Sequence, residues 1–151
     1  MICKYKETPI FHFHNANPKD KNANDCVARA ISVALSQSWE DTIREMTECG
    51  LKLGLVFNET KCIEKYLKDK GWEKYKEPRD QNNKKISVAQ FLKRPGSDKG
   101  VIVAFVGSHH TSLIVNGVVW DTWDCSKKTM HSYFRNPAAK IPEKQKRRIE
   151  L

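Results

Sequence analysis

The chain lacks any Cys-x-x-Cys pair: its five cysteines stand at positions 3, 26, 49, 62 and 125, an odd and scattered set. That arrangement argues against a disulfide framework and against a structural zinc site, so reduced thiols in a cytosol are the simpler reading. No apolar run approaches the ~20 residues of a membrane span. The start, Met1-Ile2-Cys3-Lys4-Tyr5-Lys6, has no hydrophobic stretch ahead of a small-residue cleavage site. The expectation is a cytoplasmic protein without a membrane partner. Internal repeats, linker-length low-complexity tracts and recognised nucleic-acid motifs are also missing. Acidic residues are scarce relative to basic ones, 18 Asp and Glu against 27 Lys and Arg, for a formal charge of +9. Such a balance favours nucleic acid or an acidic partner. Many of the cations, however, lie between Lys61 and Arg94 on what reads as the solvated face of a helix, or in the run Lys144-Gln145-Lys146-Arg147-Arg148, which reads as a frayed tail. Weak nucleic-acid affinity is therefore a secondary expectation.

What is present points to nucleophilic chemistry. The 151 residues fit one domain, long enough to bury roughly two-thirds of its unfolded surface. Asn22-Ala23-Asn24-Asp25-Cys26 runs into the apolar segment Val27 to Leu35, which predicts a helix from Cys26 to about Ser36 with Val27, Ala30, Ile31, Ala34 and Leu35 inward. A thiol on the first turn of a helix meets unpaired backbone N–H groups and partial positive charge, both of which favour the thiolate. Cys26 also fits as a small core residue, and Asp25 as a simple N-cap whose charge would oppose ionisation.

A second helix follows, capped by Ser38 with Asp41 three positions on and stopped by Gly50. A third is capped by Asn58 and stopped by Gly71 ahead of Trp72, and a short fourth spans Ser87 to Leu92. Met1 to Asp25 reads as an arm pinned by Phe11 and Phe13, and Lys74 to Lys85 as a polar connector. Beyond Arg94-Pro95-Gly96 the composition turns β-branched. Strands are predicted over Val101–Val106, in the run ending at Val115, from Val118, and from Thr129 to Arg135. Helices first and an antiparallel sheet after make the fold class α+β.

Asn116-Gly117 favours a two-residue type I′ turn, which sets Val115 opposite Val118. His110 then lies opposite Trp123, with Asp121 one diagonal step away on the same face. His109 projects to the other face, opposite Asp124. Either pair could join a base to its orienting carboxylate.

The segments Asn24-Asp25-Cys26-Val27-Ala28-Arg29-Ala30, Gly71-Trp72 and His110 through Asp124 resemble compact papain-like cysteine peptidase domains found as uncharacterised proteins of bacteriophages and prophages. The likeness spans roughly residues 17 to 135. It implies an N-terminal arm over 1–16, a catalytic domain over 17–136 and a basic tail over 137–151. It also implies helices packed on a C-terminal antiparallel sheet, and the host cytoplasm as location. By it, Cys26 is the nucleophile, His110 the base and Asp121 the orienting acid. Asp121-Thr122-Trp123 is similar to the Asn-Ser-Trp segment of papain-like enzymes, which puts Trp123 over the His–Asp contact and makes Trp123 and His109 candidate substrate contacts. The glutamine such enzymes place before the cysteine is replaced here by Asn22 and Asn24, the candidate oxyanion donors beside the Cys26 backbone N–H.

The expected activity is hydrolysis of a peptide or amide bond in a peptide or protein substrate, with deamidation and transamidation as variants and no cofactor or metal required. The alternative is an inactive papain-like scaffold that binds protein or nucleic acid. Cys3, Cys49, Cys62 and Cys125 read as packing or surface thiols, His131 as a packing or solvent-facing residue, and His12 and His14 as an alternating pair able to hold a metal.

Overall fold

Six consecutive apolar residues, Val101–Val106, form a strand whose two faces are both covered, which is why the run does not alternate with polar residues. This and the other elements come from a computed structural model that describes residues 7–97 and 99–144. Cys3 and the 145–148 part of the basic run lie outside the described residues.

In chain order the elements are β1 (Phe11–Phe13), α1 (Cys26–Ala34), α2 (Trp39–Leu53), α3 (Thr60–Asp69), β2 (Glu73–Tyr75), α4 (Val88–Leu92), β3 (Val101–Val106), β4 (His110–Val115), β5 (Val118–Asp121) and β6 (Met130–Arg135). The strands make one mixed sheet in the order β1-β5-β4-β3-β6-β2, antiparallel throughout except for the parallel pair β1 and β5. The molecule is thus α+β. Helices α1, α2 and α3 cover one face, where Val27, Ile31, Met46, Ile63 and Leu67 meet Val103, Leu113, Trp120 and Phe134. On the other face α4 and the arm residue Phe11 pack with Ile102, Ile114, Val119 and Met130.

Local chemistry accounts for most boundaries. The Ser38 hydroxyl accepts from the Asp41 N–H at the start of α2, and Ser87 and Gln90 make a reciprocal capping box on α4. The Asn116-Gly117 turn has φ of 45° and 77°, as a type I′ hairpin requires. The resulting register pairs Val115 with Val118 and Leu113 with Trp120.

Four readings of the sequence need correction. Helix α2 does not stop at Gly50 but runs on to Leu53 and ends at Gly54 in the left-handed conformation. Gly50 is glycine for another reason: a Cβ there would sit 2.3 Å from the Leu55 carbonyl oxygen of the returning loop. Asn58 does not cap α3, whose N-cap is Glu59 without a side-chain bond. The connector after Trp72 contributes the edge strand β2, which pairs with β6 and stacks Tyr75 on Tyr133 at 5.2 Å. The arm likewise supplies β1, with Phe11 only 1% exposed, because the β5 edge would otherwise carry unpaired backbone groups.

Candidate active site

Cys26 is the first residue of α1, a helix buried on nearly every side because it lies across β4 and β3. This packing brings the helix start to the beginning of β4, where His110 sits. The Asp25 carboxylate makes no cap on the helix and turns inward instead. It pairs with Arg29 and accepts from Asn17 Nδ2 and Trp39 Nε1, both at 3.0 Å. The backbone N–H groups of the first turn are therefore left without a side-chain cap beside the thiol.

On the hairpin, His110 Nε2 lies 2.6 Å from Asp121 Oδ2, and the His110 ring packs on Trp123 with centroids 4.8 Å apart. Asp121 is buried and its carboxylate is saturated: the Ser112 hydroxyl donates at 2.6 Å, the Thr122 N–H at 2.7 Å, and Arg29 Nη2 stands 3.5 Å away. The charges form a chain, Asp25 to Arg29 to Asp121 to His110 to Cys26.

The electrostatics follow from that chain. Burial disfavours the Cys26 thiolate, but hydrogen bonds from His110 and the Thr111 N–H, together with the charges of His110 and Arg29, outweigh it and pull the thiol below its ordinary pKa. Burial likewise opposes the imidazolium. Bonds to Asp121, Cys125 and Cys26 and the Asp121 charge overcome this and raise His110 to about 11. Asp121 is lowered despite its burial, through His110, Ser112 and the Thr122 N–H. Both shifts act in the direction that favours a thiolate–imidazolium pair.

A cleft of about 540 Å³ opens over Cys26 and His110, with Asn58, Glu59, Phe105, His109 and His131 among its walls. His109 is not on the opposite strand face as the alternation predicted. It occupies the β3–β4 turn with φ 58°, exposed, because β4 starts only at His110. Asp124 accepts from the Ser126 N–H. Trp123 stands between a 520 Å³ pocket shared with His110 and a 380 Å³ depression shared with Asn22. Asn24 is exposed.

Five residues enter the site that the sequence reading did not place there. Arg29 is the one charged side chain in the otherwise uncharged run from Val27 to Leu35, a signal in itself. Ser112 follows from the hairpin register, being opposite Asp121. Cys125, taken for a plain packing thiol, lies fully buried with its sulfur 3.5 Å from Ser112 Oγ and 3.9 Å from Asp121 Oδ2. His131 donates from Nε2 to the Gly107 carbonyl at 2.9 Å, and Asn58 lines the cleft; neither carried a usable signal.

His110, Asp121 and Cys125 offer ligand atoms within 4.8 Å of one another. A cation there would have to open the His110–Asp121 bond beside the Arg29 guanidinium. His12 and His14 instead pack on Trp120 at 4.8 and 5.4 Å, and His12 Nδ1 meets the Glu7 carboxylate at 3.0 Å. In the basic segment, Lys65, Lys70, Lys74 and Arg79 are each paired with a carboxylate. No helix among the described residues is long and apolar enough to cross a membrane. Comparison with protein-family models, with curated proteins and with solved structures finds no match to this chain.

Proposed function

We propose that this protein is a papain-like cysteine hydrolase of peptide or amide bonds. The observation that carries the reading is the His110 ring, held at Nε2 by a buried carboxylate and facing a helix-terminal thiol of lowered pKa in an open cleft. A cysteine on a helix start facing a histidine and an acid on an antiparallel hairpin, the division of the site that papain-like enzymes use, supports the reading.

The Cys26 thiolate attacks the carbonyl carbon, a C–S bond forms, and the displaced electron pair moves to oxygen. The Cys26 backbone N–H receives that charge; Asn22 and Asn24 are outside the residues that line the Cys26 cleft. As the oxyanion collapses, the C–N bond breaks and the leaving nitrogen takes the proton of the His110 imidazolium. Neutral His110 then draws a proton from water, which opens the thioester and releases the acid, restoring thiolate and imidazolium. Asp121 holds the ring tautomer throughout. Trp123 shields the His110–Asp121 contact and His109 meets the substrate. Deamidation and transamidation use the same steps with a different donor or acceptor.

The test is competitive alkylation by iodoacetamide near pH 7, read by peptide mass spectrometry, alongside cleavage of a proteome-derived peptide library. Cys26 is expected to label at least tenfold faster than Cys49 or Cys62, and Cys26→Ala to stay folded and lose all cleavage. Equal labelling of the three thiols would sink the proposal.

A further inference from the structure

Two cavities flank His110, and their chemistry differs. The 540 Å³ cleft is shared by Cys26 and His110 and, among the described residues, carries one carboxylate, Glu59, and no lysine. The 520 Å³ pocket touches His110 but not Cys26; Lys85, Lys128, His131, Trp123 and Ser108 are in its wall, and among the described residues no carboxylate is.

The two lysines stand on paired backbone. Ser87 and Thr129 form an antiparallel bridge, Val88 N–H donates to the Lys128 carbonyl at 3.0 Å, and Met130 N–H donates to the Ile86 carbonyl at 2.9 Å, so the segments bearing Lys85 and Lys128 are tied side by side. The Lys128 stem passes under Gly107, where an added Cβ would meet it at 3.5 Å. Both lysines are exposed, and among the described residues neither has a carboxylate within 4.0 Å; Glu77, whose charge Lys85 feels, is bonded to Arg79. Elsewhere Lys65, Lys70 and Lys74 do have such partners.

Direction follows from the reaction. The carbonyl carbon must be at Cys26, whereas the group protonated by His110 is the leaving nitrogen, so the pocket that borders His110 alone receives the leaving side of the substrate. Resting on the hydrolase reading, we infer that this pocket selects a carboxylate on the leaving fragment, held by Lys85 and Lys128 with its stem on the Trp123 ring. The carboxylate is either an acidic side chain following the broken bond or the terminal carboxyl of a one-residue leaving group. Two partly screened charge contacts give a preference of about five- to tenfold, weakening with salt.

Two measurements test this. In the peptide library, bonds followed by Asp or Glu should be enriched among the cut sites. Comparing substrates with free and amidated C-termini separates the side-chain source from the terminal one. The Lys85→Gln, Lys128→Gln double variant should keep its cleavage of neutral peptides and lose the enrichment. Cleavage with no acidic or terminal bias, or a bias unchanged in the double variant, overturns the inference while leaving the hydrolase intact; no cleavage by the wild type at all counts against the hydrolase.

The second measurement does not need turnover. Cys26→Ala protein is titrated with N-acetyl-glutamate amide, N-acetyl-glutamine amide and N-acetyl-glutamine, following the Trp123 indole N–H by NMR. Saturable shifts are expected with one or both carboxylates, absent with the neutral amide and lost in the lysine double variant. No shift, or equal shifts with all three, refutes the pocket's selectivity.

Discussion

Arg29 joins two buried carboxylates and lies close enough to Cys26 to favour its thiolate, so its removal is felt in both stability and reactivity. Arg29→Met leaves Asp25 and Asp121 without their shared countercharge in a site where breaking an ion pair costs roughly 3–5 kcal/mol. For a chain of this size that is a fall in Tm of about 10 °C. Thermal melting followed by circular dichroism checks it. Arg29→Met, Asp25→Asn should recover part of the loss, because one of the two stranded charges is gone. A second expectation at this scale concerns pH. Cys26 is lowered and His110 is raised to about 11, so the thiolate–imidazolium pair persists across the whole interval between them. An ordinary thiol loses about tenfold in alkylation rate per pH unit below ~8.5. The Cys26 rate should instead begin its fall at a lower pH than that of an ordinary thiol, as acid protonates the thiolate through its lowered pKa. His110→Ala removes the largest favourable interactions and should slow labelling at pH 6.5 by tenfold or more. Cys62, raised to about 11 by burial and Cys49, is the inert internal reference.

At the scale of elements, Gly50 opposes propensity to packing. Alanine is a better helix residue than glycine by about 1 kcal/mol, so propensity alone makes Gly50→Ala stabilising. The Leu55 carbonyl lies 2.3 Å from where the new Cβ would be, and it is backbone that is itself bonded, Leu55 N–H to the Gly50 carbonyl at 2.9 Å. The loop has to shift, at a cost of about 1–3 kcal/mol beyond the propensity gain. Urea unfolding should therefore show a lower midpoint for Gly50→Ala. This residue also marks the limit of what the sequence discloses. A glycine after a helical stripe reads as a stop, and only the tertiary path of residues 54–57 shows that it is a point of close approach. Features that depend on local chemistry were legible: the Ser38 and Ser87 caps, the start of α1 at Cys26, and the Asn116-Gly117 register that placed His110 near Asp121. The short edge strands β1 and β2 were not, because three residues of partly polar character, His12 or Lys74 among them, acquire strand geometry only from a neighbour's unpaired edge.

For the whole molecule the question is what the N-terminal segment does for the sheet and the site. Residues 11–13 are the outermost strand beside β5, and the Val119 N–H donates to the Ile10 carbonyl at 2.8 Å. One step further the His14 N–H donates to the Asp121 carbonyl at 2.9 Å, which anchors the backbone of the residue that orients His110. Phe11 fills the core between Val119 and α4, and truncation of a buried phenylalanine alone costs about 3–5 kcal/mol. Deleting residues 1–16 would thus remove a core side chain, uncover the β5 edge and free the backbone behind Asp121 together. If the segment were only an appended arm, the truncated chain would melt with the intact one and keep its Cys26 labelling rate. The packing requires the opposite: a Tm lower by 10 °C or more, or aggregation through the bared edge, and slower labelling of Cys26 in whatever remains folded. Phe11→Ala in the full-length chain separates the contributions, since it keeps the strand and the His14 bond while removing the core contact. It should lose most of the stability and little of the Cys26 reactivity. Equal loss of both in Phe11→Ala would mean that the segment acts on the site through the core rather than through the strand.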